Sequence, residues 1–146
     1  MSGTIMLLSG PNLNLLGTRE PEVYGTATLE DHVATATTTA AAHGYDITHL
    51  QSNHEGALVE AIHAARSSAV GIVINPGAFT HYAWSIHDAL AAFDGPVVEL
   101  HLSNPNAREP WRHTSVVAPV ATGSIVGFGG DGYRLAIEAL VAALGA

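Results

Sequence analysis

A doubly wound α/β fold is predicted by three features of the sequence. Short apolar runs recur along the chain, segments of helical period separate them, and unusual polar residues collect in the loops that follow the apolar runs. Strands alternating with helices imply a parallel sheet with helices on both faces, joined by right-handed crossovers. At 146 residues the chain suits one domain spanning 1–146 with a proper core. There is no internal repeat and no linker.

Residues 4–9 (TIMLLS) read as the first strand, apolar throughout as a parallel strand buried on both faces requires. The loop that follows, SGPNLNLLGTREPEVYG at 9–25, is far longer than the roughly 2–6 residues of an ordinary strand-to-helix connection. A loop of that length is functional, and it reads as an active-site lid. Thr28 caps the next helix, with Glu30 and Asp31 in the first turn. Leu29, Val33, Ala36 and Ala40 repeat at helical spacing, the small residues of ATATTTAAA permit close packing, and Gly44 stops the helix.

Residues 45–50 are the second strand, after which Asn53 is the expected cap of a helix with Leu58, Ile62 and Ala65 facing inward. The third strand, 69–74, carries the strongest β pattern. It ends in the turn cluster 75–79 (NPGAF), and Thr80 is expected to cap a helix reaching Phe93. Gly95-Pro96 turns into the fourth strand, 97–102, followed by a polar loop at 103–115. Residues 125–128 are the fifth strand, and 129–132 lead into a last helix ending at Leu144.

At this size the expected strand order is 2-1-3-4-5, the flavodoxin-like three-layer sandwich. Ligands in such sheets sit beyond the carboxyl ends of the strands, at the switch point between strands 1 and 3. The loops after strands 1, 3 and 4 meet there. The first holds Asn12, Asn14, Arg19 and Tyr24, and the second Asn75 and His81. From the third come His101, Ser103, Arg108 and Arg112. Three of the five arginines thus fall in one mouth of a chain whose formal net charge is −8.

Composition removes whole classes of chemistry. Without cysteine there is no thiolate metal site, iron–sulfur cluster or Cys nucleophile. Without lysine there is no Schiff base, no lysine-anchored pyridoxal phosphate and no P-loop lysine. The acidic balance argues against nucleic acid as a partner. Charged residues are 12% of the chain, about half the usual share, so much of the surface is expected to be covered in a homo-oligomer. No apolar run is long enough for a membrane span and no leader pattern opens the chain, so the expectation is a cytoplasmic protein. Among nine histidines, the pairs His81/His87 and His49/His54 lack the i, i+4 spacing of a helical zinc site, and no metal is expected.

The remaining bases are His, carboxylate and an ionised Tyr. A phenol with a pKa near 10 needs help at neutral pH, and an arginine about 4 Å away is worth about 4 kcal/mol at an effective dielectric of 20. Arg19 lies five residues before Tyr24 on the same loop and could give that help. Tyr24 could then remove a proton beside a carbonyl, with Asn12 or a water it holds stabilising the enolate. His101 could protonate a leaving hydroxyl, oriented by Glu99 two residues earlier on the same strand face. Arg112 and the backbone at Leu102 and Ser103 suit substrate hydroxyls or a carboxylate. Read alone, the same residues also fit turn caps, a half-buried loop aromatic, solvated charges and a rim histidine. A non-catalytic binding module on this fold is the other class. Against it, the first strand ends in Ser9-Gly10-Pro11, with neither the acids of a receiver domain nor a Ser/Thr/Gly run for a flavin phosphate.

Five blocks, GPNLNLLGTREPEVYG (10–25), QSNHEG (51–56), INPGAFTH (74–81), ELHLSNPNAREPWRH (99–113) and GYRLAIEAL (132–140), together resemble the type II 3-dehydroquinate dehydratases of the shikimate pathway. The resemblance covers nearly the whole chain. It implies a cofactor-free anti elimination of water from 3-dehydroquinate, through an enolate, to 3-dehydroshikimate. By position Tyr24 resembles the base, Arg19 its activator, Asn12 the holder of the enolate-stabilising water and His101 the acid. Asn75, His81, Leu102, Ser103 and Arg112 resemble substrate binders, and Glu99 and Arg108 supporting residues. Asp88 resembles a residue that reaches a neighbouring subunit's site, in an assembly of trimers packed into a dodecamer. Phe79, Trp111, Thr114 and His87 depart from the family's usual residues without touching a catalytic position.

Overall fold

The computed structural model describes residues 2–145. One all-parallel sheet is built from β1 (Gly3–Ser9), β2 (Tyr45–Gln51), β3 (Gly71–Asn75), β4 (Val97–His101) and β5 (Gly123–Val126). Their order across the sheet is β2-β1-β3-β4-β5, as the sequence predicts. The helices are α1 (Pro21–Tyr24), α2 (Leu29–Ala41), α3 (Glu55–Ser68), α4 (Trp84–Ala91) and α5 (Asp131–Leu144).

The sheet separates two apolar cores. On one face Leu29, Ala36 and Ala40 of α2 and Ala136, Ile137 and Leu140 of α5 pack on Ile5, Leu7, Val73 and Leu100. On the other, Leu58 and Ile62 of α3 and Ile86 and Leu90 of α4 cover Leu8, Ile72, Ile74 and Val97. Alternate strand residues enter opposite cores, the two-residue period of a strand buried on both sides.

Local chemistry sets the element ends. Thr28 accepts from the Asp31 N–H at 3.2 Å while Asp31 accepts from the Thr28 N–H at 3.0 Å, a reciprocal cap that starts α2. Two expected caps are corrected. Residue 54, not Asn53, is the N-cap of α3, and the Asn53 side chain instead accepts from the Asn12 N–H at 3.0 Å. Thr80 caps nothing. The chain passes through a 3-10 turn at Gly77–His81, and α4 begins only at Trp84 and stops at Ala91. β5 lies at Gly123–Val126, earlier than the 125–128 run suggests, because its pairing with Val98–His101 outweighs the apolar pattern. The 9–25 loop is also less irregular than its polarity implies, holding a 3-10 turn at Leu13–Leu15 and the short α1.

Candidate active site

The ends of β1 and β3 are locked together at the switch point. The Gly10 N–H donates to the Asn75 carbonyl at 2.8 Å, and a Cβ on Gly10 would stand 2.3 Å from the Pro76 carbonyl oxygen, so no larger residue fits there. Gln51 holds the loop from the other side, its amide donating to the Gly10 carbonyl at 3.1 Å and to Asn53 at 3.2 Å. These bonds place Asn12, in the left-handed region at φ 69°, on the rim of a cleft of about 250 Å³. Asn tolerates that conformation better than most residues.

The cleft is lined by Asn12, Arg19 and Tyr24 from the 9–25 loop, Asn75 and His81 at and after the end of β3, and His101, Leu102, Ser103, Arg108 and Arg112 at and after the end of β4. The three loops therefore converge as the sheet topology requires. Asn14 and Asp88 lie outside this lining, both exposed to solvent, Asp88 on α4.

Two guanidinium groups flank Tyr24. Arg19 lies 5.1 Å from the ring centroid and Arg108 5.4 Å. Arg108, rather than Arg19, reaches the phenol oxygen, donating to it at 2.8 Å and to the Ser103 hydroxyl at 3.3 Å. Arg19 pairs with Glu20 at 3.2 Å. Arg112 pairs with Glu109 at 3.0 Å and lies over the Trp111 ring at 4.0 Å.

Near the end of β4 the Glu99 carboxylate is 2% exposed and receives the His101 Nε2–H at 2.6 Å. Thr80, read from the sequence only as a helix cap, and Ser115, at the end of the polar loop, also donate to it, at 2.5 Å and 2.9 Å. Burial alone would push this carboxyl up. The His101 hydrogen bond and charge, with the Thr80 and Ser115 hydroxyls, outweigh burial and hold it below the ordinary carboxylate range. Because an ionised carboxylate only accepts, His101 carries its hydrogen on Nε2, leaving Nδ1 for a ligand. His81 donates from Nδ1 to the Thr114 carbonyl at 2.7 Å. Burial shifts His81 downward, so it stays neutral with Nε2 as an acceptor. Among the described residues no group of three or more His, Cys, Asp or Glu side chains is arranged to hold a metal ion.

Known proteins resemble this chain over nearly its whole length. The family model "Dehydroquinase class II" matches residues 3–141. A Ruegeria pomeroyi protein named 3-dehydroquinate dehydratase is 55% identical over 141 residues, covering 97% of this chain and 95% of that protein. A catabolic 3-dehydroquinase of Penicillium rubens is 54% identical, covering 94% of this chain and 89% of that one. The crystal structure of a type II dehydroquinase from Butyrivibrio crossotus superposes with a TM-score of 0.92 at 44% identity, covering 95% of this chain and 97% of the other. A match of that length and identity fixes the lineage: the chain belongs to the class II dehydroquinase family.

Proposed function

We propose that this chain dehydrates 3-dehydroquinate to 3-dehydroshikimate by anti elimination through an enolate, using side chains alone. One observation supports it above the rest. A phenol bonded to a guanidinium and an imidazole bonded to a carboxylate share the same small cleft.

Tyr24, as phenolate, takes the proton from the carbon beside the ketone. The C–H electron pair moves onto the carbonyl oxygen, and a water held by Asn12 donates to the enolate so formed. As the ketone re-forms, the β-carbon–oxygen bond breaks, and His101 gives its Nδ1 proton to the departing hydroxyl, which leaves as water. To donate from Nδ1 while Nε2 stays bonded to Glu99, His101 must carry both hydrogens, and the Glu99 anion stabilises that form. Arg112, His81, Asn75 and the backbone at Leu102 and Ser103 hold the substrate's carboxylate and hydroxyls. Arg108 stabilises charge on the Tyr24 oxygen directly, and Arg19 adds positive potential above the ring. Asp88 acts on the cleft of a neighbouring copy in a homo-oligomer, since it stands outside its own.

The test is to supply 3-dehydroquinate and follow the absorbance of the conjugated product. The wild-type chain should form it, and Tyr24→Phe should abolish nearly all turnover while binding a substrate analogue within about tenfold. Strong residual turnover would eliminate Tyr24 as the base. Light scattering on the same preparation should give several times the mass of one chain, and a monomer would refute the role given to Asp88.

A further inference from the structure

We propose that Thr80 and Ser115 are positioning residues for the acid step: their hydroxyls hold the buried Glu99 carboxylate as an anion and so set how readily His101 releases its proton. The proposal rests on the assignment of His101 as the acid.

Counting hydrogens fixes the direction of every bond. Ser115 Oγ accepts from the backbone N–H of Val117 at 3.1 Å and of Ala118 at 2.9 Å. Both its lone pairs are then occupied, and its one hydrogen goes to Glu99, 2.9 Å from Oε1 and 3.0 Å from Oε2. Thr80 Oγ1 lies 2.8 Å from Ser115 Oγ, but no lone pair remains there, so the Thr80 hydrogen goes to Glu99 Oε2 at 2.5 Å. With His101, three donors converge on one carboxylate.

The backbone is stitched to keep this geometry. The Thr114 carbonyl accepts from His81 at 2.7 Å, the Val116 N–H donates to the Thr80 carbonyl at 2.7 Å, and the Val116 carbonyl accepts from His87 at 2.6 Å. Ser115 therefore cannot drift from the carboxylate without breaking bonds on both sides. Packing alone would not need two hydroxyls aimed at one anion; Thr80 is 1% exposed, where Val would fill the same space.

Glu99 and His101 share one hydrogen bond of 2.6 Å, so a change in the donors to one is felt by the other. Removing one hydroxyl destabilises the Glu99 anion and draws the shared hydrogen toward the carboxylate. His101 then gives up its Nδ1 proton less readily and is a weaker acid. The ionisable group that shares the pair's field is His81 from the turn after β3, which also feels Arg112 from the loop after β4, and neither substitution removes either. β3 and β5 carry no ionisable side chain, and none from α5 acts on Glu99.

The test compares kcat and KM across pH for Ser115→Ala and Thr80→Val, with Ser115→Thr and Thr80→Ser as conservative controls. Each hydroxyl-free variant should lose about tenfold or more in kcat with KM within about threefold, and its alkaline limb should move up by about one pH unit. The conservative variants should restore both. Folded hydroxyl-free variants whose alkaline limb stays in place, or whose loss falls on KM, would overturn the proposal. Should neither fold, 15N NMR of the histidine rings in the ligand-free wild-type chain decides it: a hydrogen held on His101 Nε2 through neutral pH supports the network, and its absence refutes it. That reading is independent of turnover, so a wild-type chain inert toward 3-dehydroquinate would refute the function and leave the network to be judged separately.

Discussion

Removing Arg108 tests the base side of the cleft most directly. Its guanidinium stands 2.8 Å from the Tyr24 oxygen, and its second bond, to Ser103 at 3.3 Å, is weaker. A hydrogen bond to a charged group contributes about 1.5–3 kcal/mol, so Arg108→Ala should lower kcat by roughly 10- to 150-fold. Analogue affinity should stay within about tenfold, because the lost bond is made to Tyr24 rather than to a bound ligand. Initial rates of product absorbance for Tyr24→Phe, Arg108→Ala and the double variant complete the cycle. If Arg108 works through the phenol oxygen, the double variant is no more than about threefold slower than Tyr24→Phe alone. Losses that multiply would show that Arg108 acts elsewhere, and this account of the base would be wrong.

Two further outcomes follow from groups that burial perturbs. Tyr133 is fully buried, its ring stacked on His32 at 4.8 Å, and its hydroxyl faces Ser9 and Asn75 without bonding either, while burial pushes its pKa up to about 12. Tyr133→Phe should therefore raise stability by about 1 kcal/mol in urea unfolding, and a comparable loss would mean that the hydroxyl is bonded in solution. Burial also lowers the pKa of His32, His49 and His81. The unfolded chain then takes up these protons first, so the stabilisation is complete above about pH 6.5 and is lost as pH falls below it. The urea midpoint should drop between pH 7 and 5.5, and a flat midpoint across that window would contradict the burial of these rings.

The sheet order and the convergence of three loops were legible because both follow from periodicity and one topological rule. Asn12, Arg19, Tyr24, Asn75, His81, His101, Arg108 and Arg112 could be gathered from the ends of predicted strands without coordinates. Contacts between loops were not legible. Arg19 is near Tyr24 in sequence, whereas Arg108 is 84 residues away and still holds the phenol oxygen. Asn53 looked like a helix cap because its side chain suits one; its partner is a backbone N–H on a distant loop. Thr80 and Ser115 carry no chemistry of their own, and hydroxyls are too common in turns for sequence to mark two that meet at one carboxylate. His32 broke the apolar pattern of α2 yet is buried against Tyr133, a cross-element stack with no sequence period.

The two walls of the cleft meet opposite demands with the same device. In the proposed reaction Tyr24 must be able to lose a proton and His101 to hold one, although both line the same small cleft. Tyr24 is served by guanidinium groups, which favour charge on oxygen, and His101 by a buried carboxylate, which favours charge on the ring. Each counter-charge has its own partners: Arg108 bonds the phenol and Ser103 and pairs with Glu20 at 4.0 Å and Glu109 at 3.9 Å, while Glu99 takes three donors. The hydroxyls of Thr80 and Ser115 thus have an electrostatic consequence beyond local packing. With fewer donors Glu99 would draw the proton from His101 more strongly, and the acid wall would weaken while the base wall stayed intact. An elimination that proceeds through an enolate would then stall after its first proton transfer, with the enolate formed and the hydroxyl still attached.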